Sequence, residues 1–278
     1  MSDFVIHLPS NVQPTRFPSN CASNYSTQLD NAIDLNGEWD VALVEVTYPK
    51  SVKMFEGEGI KFTETIRTPK CRSVGRGSRK HVNVGVHADT PCTETNDVDP
   101  AVLSKHTYWQ VPSPRENTIE ALVETLNEKS TEFGYSFQHR NGILSLTLHD
   151  QNKELQLDKS LADLLGFDRF HFNKEGVTHY GFQSPALYRN IDYVFIYSNI
   201  LDHVNVGHMT APLLHAIPFM KDGHGPLIHH AIRTPIFRPM NASKLDRIDL
   251  RLCDGNGQDI PFIEGKTLII LNIRRRIL

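Results

Sequence analysis

The chain has 278 residues, 39% of them hydrophobic and 22% charged, enough to bury one large core or two modest ones. A formal charge of -3 and a sequence pI of about 6.5 argue against any general attraction to nucleic acid or anionic membrane. No run approaches the roughly 18 apolar residues that would read as a transmembrane helix.

The opening MSDFVIHLPS lacks a basic segment followed by a long apolar one, so no secretory signal is expected. Asn24-Tyr-Ser26 and Asn241-Ala-Ser243 fit the glycosylation pattern but have no secretory route to give them meaning. Cys21, Cys71, Cys92 and Cys253 are far apart and form no CxxC pair, so they read as reduced thiols rather than a disulfide framework.

Phe4 to Leu8 alternates as a short strand closed by Pro9. Residues 9–32, rich in Pro, Ser and Asn, read as an irregular arm anchored by Phe17 and Tyr25. Next comes IDLNGEWDVALVEVTYP, a turn at Asn36-Gly37 and a strand ended by Pro49, which has no N–H for a ladder. Period-two alternation sends Trp39, Val41 and Leu43 to one face of this strand, and Val44, Val46 and Tyr48 to the other. Both faces are apolar, so the strand is expected to be central and covered on both sides. Trp39, Val41, Leu43 and Tyr48 are its expected core anchors.

Ile60 to Thr68 and His81 to Ala88 alternate as strands around a basic, Gly-containing segment with Arg72, Arg76 and Arg79. This segment reads as a solvated loop, or as an arm that meets phosphate or an acidic neighbour. From Thr107 the pattern changes. TYWQVPSP leads into a helix over Thr118–Leu126, with Ile119, Leu122, Val123 and Leu126 on one face. The runs FGYSFQ and ILSLTL flank Asn141-Gly142, a strong hairpin signal. A third strand, ELQLD, precedes the short helix SLADLLGFD, in which Gly166 is placed to cap the C-terminus. After Gly176, strands are expected at 179–184, 192–200, 213–219, 227–234, 244–254 and 267–274, a spacing that suggests a sandwich or barrel. The chain is thus mainly β, with an inserted α-β-β-β-α unit at 107–174 between β-rich segments 1–106 and 175–278.

No catalytic constellation stands out. His203, His208, His215, His224, His229 and His230 crowd one region, and His215 could face His229 or His230 across neighbouring strands. They lack a metal-site spacing such as HExxH, so ordinary strand and loop histidines are expected. There is no GxSxG elbow, and Glu94, Asp97 and Asp99 lack the order of a calcium loop. Trp39 and Trp109 read as packing anchors before they read as a sugar-stacking platform. The basic tail Arg274, Arg275 and Arg276, with Arg72, Arg76 and Arg79, is the candidate contact for an acidic partner; alternatively the tail keeps a final strand soluble. No cofactor, metal or enzymatic activity is indicated.

An ordered series of segments nevertheless resembles a known family. IHLPSN (from Ile6), FPSN (from Phe17), Tyr25 with Leu29, IDLNGEWDVALVEVTYP, SLADLLGF (from Ser160), DYVFIYSNI, VGHMTAPLLHAIPF and IDLRLCDGNGQDIPFIEGKTLIILNIR resemble the minor capsid (penton) proteins of Maverick/Polinton elements and related adinto-like viruses. The resemblance spans nearly the whole chain. It implies a jelly-roll β-sandwich formed by residues 1–106 and 175–278, which assembles as a homopentamer at icosahedral five-fold vertices. It also implies a double-jelly-roll major capsid protein as neighbour, in a virion capsid assembled inside the host cell, in its nucleus. Genomic DNA and a host receptor are weaker partner expectations, and no membrane is involved. The alternative from a different class is a β-sandwich receptor- or carbohydrate-binding module using Trp109 and Tyr108. A metal-dependent enzyme using the 203–230 histidines is a third.

Overall fold

The computed structural model describes residues 3–67, 102–150, 152–189, 191–220 and 225–276. Three strands open the chain: β1 (Asp3–Pro9), β2 (Asn24–Asp34) and β3 (Trp39–Pro49). A mixed segment follows: β4 (Gly59–Arg67), β5 (Val102–Gln110), α1 (Ile119–Ser130), β6 (Tyr135–Arg140), β7 (Ile143–Leu148), β8 (Lys153–Leu157), α2 (Lys159–Leu165), β9 (His171–Phe172) and β10 (Thr178–Tyr180). The rest is again β. It comprises β11 (Tyr193–Ser198), β12 (Val204–Val206), β13 (Met209–Ala211), β14 (Leu213–Pro218), β15 (Leu227–Ala231), β16 (Arg238–Pro239), β17 (Lys244–Cys253) and β18 (Leu268–Arg275).

Two antiparallel sheets face each other, ordered β1-β18-β3-β15, with β16 also on β3, and β14-β11-β17-β2. Counting only their eight long strands in chain order, the sheets read 1-8-3-6 and 5-4-7-2. This is the jelly-roll arrangement, in which successive strands alternate between the sheets except for the paired β11 and β14. One core fills the space between, including Leu8, Tyr25, Val41, Val46, Tyr48, Val194, Ile196, Leu214, Ile248, Leu250, Ile269 and Leu271.

β3 lies inside its sheet, between β18 on one side and β15 and β16 on the other. Its double-faced apolar pattern has a different cause from the one expected. The pairing with β18 runs Ile270↔Glu45 and then Leu271↔Leu43, skipping Val44. An extra residue of this kind reverses the alternation. Trp39, Val41 and Leu43 point inward before the bulge, and Val46 and Tyr48 point inward after it, all into one core. Glu45 and Thr47, on the outer side, stay half-exposed. The bulge thus brings both apolar sets to one partner sheet; the first half of the strand is covered on its other side too, where Asp40 and Ala42 are buried, and from Glu45 on that side is open.

The segment between β3 and β11 builds a second core. Sheets β5-β4-β8-β9 and β10-β7-β6 enclose, with α1 and α2, Met54, Phe55, Ile60, Phe62, Leu122, Leu126, Phe137, Leu146, Leu155, Leu161 and Phe172. The expected boundaries at 107 and 174 therefore move outward. β4 pairs with both β5 and β8, so its Ile60 and Phe62 belong to the inserted unit rather than to the jelly roll. Asn127 ties α1 to β6 with two hydrogen bonds to the Phe137 backbone, at 2.8 and 2.9 Å. Asn141 and Gly142, at φ 52° and 81°, make the hairpin turn. Gly166, at φ 83°, closes α2, where a Cβ would meet the Gln183 carbonyl oxygen at 2.1 Å.

Other expectations also shift. Residues 9–32 contain the first part of β2, whose polar outer residues Asn24, Ser26 and Gln28 hid an inner row led by Tyr25 and Thr27. TYWQ ends β5 instead of leading into the helix. β10 stops at Tyr180 because Phe182 and Gln183 donate instead to the Gly166 carbonyl beyond α2. The strand expected at 81–88 lies outside the described residues.

The two cores are joined where the chain leaves β3 and re-enters β11. Asn117 fastens this neck: its Oδ1 accepts from Val52 N–H at 3.0 Å, while Nδ2 donates to the carbonyls of Val52 at 3.0 Å and Leu187 at 2.5 Å. Arg189 donates to the Met54 carbonyl and pairs with Glu58 at 3.4 Å.

Two substitutions test this architecture. Trp39 is 7% exposed and meets Phe4 edge-on at 5.9 Å. Trp39→Ala is expected to remove about 3–5 kcal/mol by emptying a core site, and an unchanged melting temperature would rule out that placement. Asn117→Ala leaves the buried Val52 backbone groups without partners and is expected to lower stability by about 1–3 kcal/mol in denaturant titration. Wild-type unfolding in that variant would show that the clamp contributes nothing to the join.

Candidate functional site

The residues singled out by sequence fall into separate places. Trp39, Val41, Leu43 and Tyr48 are all buried in the jelly-roll core. Arg72, Arg76 and Arg79 lie outside the described residues, as do Cys71, Cys92, Glu94, Asp97, Asp99 and His224. The arginine tail folds back on its own chain. Arg276 pairs with Asp40 at 2.6 Å and Glu38 at 2.7 Å. The Arg274 guanidinium sits 3.5 Å from the centre of the Phe237 ring, and Arg275 lies beside Gly37.

The histidines do not converge. His215 is on β14 and His229 and His230 are on β15, strands that belong to different sheets, so they form no cross-strand pair. His230 stacks on Tyr48, with ring centres 5.8 Å apart, and its Nε2 is 3.2 Å from the Tyr48 hydroxyl. Among the described residues no group of three or more His, Cys, Asp or Glu side chains could hold a metal ion. Cys253 is buried, and that burial pushes its thiol pKa up to about 12. Trp109 packs against the inserted core, while Tyr108 is exposed and donates to Asp158 at 2.8 Å.

What the fold does bring together is two broad sheet faces, the first open except around the buried Asp40 and Ala42. On the outer side of β1-β18-β3-β15, the register places His7, Ile270, Glu45 and Ala231 in one row. Pro9, Leu268, Thr47 and His229 form the next row, and Val5, Asn272 and Ala42 lie on the opposite flank of the first. Val5 is 54% exposed and Leu227 48%. Glu45 has no partner among the described residues, and the Asn272 Oδ1 is buried without a donor.

On the outer side of β14-β11-β17-β2, Tyr193, Phe195 and Tyr197 form a row along β11, the first two rings 6.4 Å apart. Arg251 stands opposite Tyr197 and pairs with Asp259 at 2.6 Å; farther along β17, Arg247 pairs with Asp249 at 2.7 Å. The β12–β13 hairpin overhangs this face. With Tyr197, Asp249 and Arg251 it bounds an open groove of about 340 Å³, rimmed by Met209, Ala211 and Pro212. These faces could not be found by residue type. Each is an ordinary alternating strand pattern until register shows which apolar positions share a side.

Three histidines, His179, His215 and His230, make the fold sensitive to acid; burial lowers the pKa of His215, and Arg238 lowers it further. Burial lowers the pKa of His230, and the neighbouring His229 lowers it further. Burial likewise lowers that of His179, aided by Arg169 and Lys174. A depressed folded-state value means the unfolded chain binds more protons, so this stabilisation is present above the unfolded value of 6.5 and is lost as pH falls through the lower folded values. The melting temperature is expected to fall between about pH 7.5 and 5.5, less so in a His179→Leu/His230→Phe variant. Identical slopes for variant and wild type would overturn this assignment.

Comparison with known proteins gives structural matches alone. No protein-family model and no curated protein matches the chain. Among solved structures it is similar to the mavirus penton protein, with a TM-score of 0.47 and 9% identity over 100% of both chains. It is also similar to a chain of the Sputnik virophage structure, with a TM-score of 0.45 and 10% identity, covering 99% of this chain and 98% of that one.

Proposed function

We propose that this chain is a structural virion protein, the subunit of a penton capsomer that closes as a homopentamer at icosahedral five-fold vertices. One observation carries the reading. The segments whose order resembles penton proteins contribute residues to every long strand of the jelly roll except β15. The likeness therefore runs through both sheets of the sandwich and is not confined to a loop or a single motif. In this reading function is self-association and wall-building, with a double-jelly-roll major capsid protein around the ring, in the virion capsid. The inserted unit would project from the wall.

The exposed aromatic side chains of that unit, Tyr180 at 67% and Phe182 at 81%, favour a second role in binding a receptor or glycan. Light scattering coupled to size exclusion separates the readings. A mass near five times 31.5 kDa is expected of the capsomer, while a monomer at every concentration would favour the binding module.

A further inference from the structure

An antiparallel sheet ordinarily turns polar residues to water on its open side. Neither sheet of this sandwich does so consistently. Val5, Leu227 and the half-buried Leu268 and Ile270 lie on one outer face; Tyr193, Phe195, Tyr197 and Met209 lie on the other. The two faces are back to back, so they cannot cover each other within one chain.

We propose that they are the two halves of one heterologous contact: the outer face of β1-β18-β3-β15 packs against the outer face of β14-β11-β17-β2 of the next copy. The inference rests on the ring reading above and assigns its surfaces.

Three observations select a second copy as the occupant. First, a contact between different patches of a subunit repeats from copy to copy, closing as a ring where its rotation allows, whereas a self-complementary patch stops at a dimer. Second, the polar groups are complementary. The first face presents acceptors, the half-exposed Glu45 carboxylate and, at its edge opposite Arg274, the exposed Asp3. The second presents donors, the Tyr193 hydroxyl and the half-exposed guanidinium groups of Arg247 and Arg251. Each guanidinium has five N–H groups and keeps some beyond those given to its own carboxylate. Third, covering Glu45 with a surface that offered no donor would strand a charge, which disfavours a purely apolar partner. The ends of the sandwich are poorer candidates. One carries the inserted unit, and the other is closed by the Arg276 pairs with Glu38 and Asp40.

Two double variants at exposed positions test the assignment: Val5→Lys/Leu227→Lys on the first face and Tyr193→Lys/Met209→Lys on the second. Unchanged circular dichroism and melting of the isolated chain establish that each remains folded. Each variant alone is expected to lose the fivefold mass. Mixed in equal amounts, they still hold one intact face of each kind and are expected to form a 1:1 pair near twice 31.5 kDa that grows no further. Variants that keep the wild-type mass would overturn the faces while leaving the ring reading intact. Variants that stay monomeric when mixed would show that the faces do not recognise each other. A wild-type chain that never exceeds its monomer mass would remove the ring itself, and this contact with it.

Discussion

The jelly roll depends on one displaced residue. Val44 interrupts the pairing of β3 with β18, and without that step the inward alternation set by Trp39, Val41 and Leu43 would carry Glu45 and Thr47 into the core and Val46 and Tyr48 out of it. With the step, Tyr48 becomes a hub on the inner side, in contact with Phe219, Phe262 and His230. Similar irregularities occur in the facing sheet, where register shifts between Ile196 and Tyr197 along β11 and between Leu245 and Arg247 along β17. Bulges increase local twist, and a sandwich of long strands needs twist for its two sheets to stay in contact. Irregular pairing thus sets which side chains reach the core and which are left on the outer faces.

The inserted unit joins the sandwich through backbone groups held by side chains, not through a continuous sheet. Among the described residues no strand of one is paired with a strand of the other, and each has its own buried cluster. The Asn117 contacts and the Arg189 pairs span this join with hydrogen bonds of known partners. This arrangement lets the insert differ in size or surface without disturbing the register of the sandwich strands.

Much of this was legible from residue types. Asn141-Gly142, Gly166 and the periodic face of α1 each carry a local physical signal, and the fold obeys it. What could not be read depends on distant partners. β2 looked irregular because a strand with a polar outer row and an interrupted inner row has weak periodicity, and only β17 gives it a ladder. The insert's true extent was hidden because β4 finds its partners in β5 and β8, far along the chain. For the functional surface the arginines drew attention as free charges, yet Arg274 and Arg276 are engaged by Phe237, Glu38 and Asp40. The uncovered faces emerged instead from apolar residues such as Val5, Leu227 and Tyr193, unremarkable until their rows were assembled.

The pairing of β1 with β18 also sets the order in which the sandwich can close. Among the described strands, β1 finds its ladder partner in β18, far along the chain, and β18 is also what separates β1 from β3 in the sheet. The inserted core, by contrast, draws all its residues from between Met54 and Leu187. A nascent chain can therefore finish its insert while the sandwich still waits, and contacts of such long sequence separation close slowly. Neither outer face exists as a continuous surface until β17 and β18 have emerged and docked. Until then the partly made sheets lack their partners, and pairing with a wrong neighbour is the hazard of that interval.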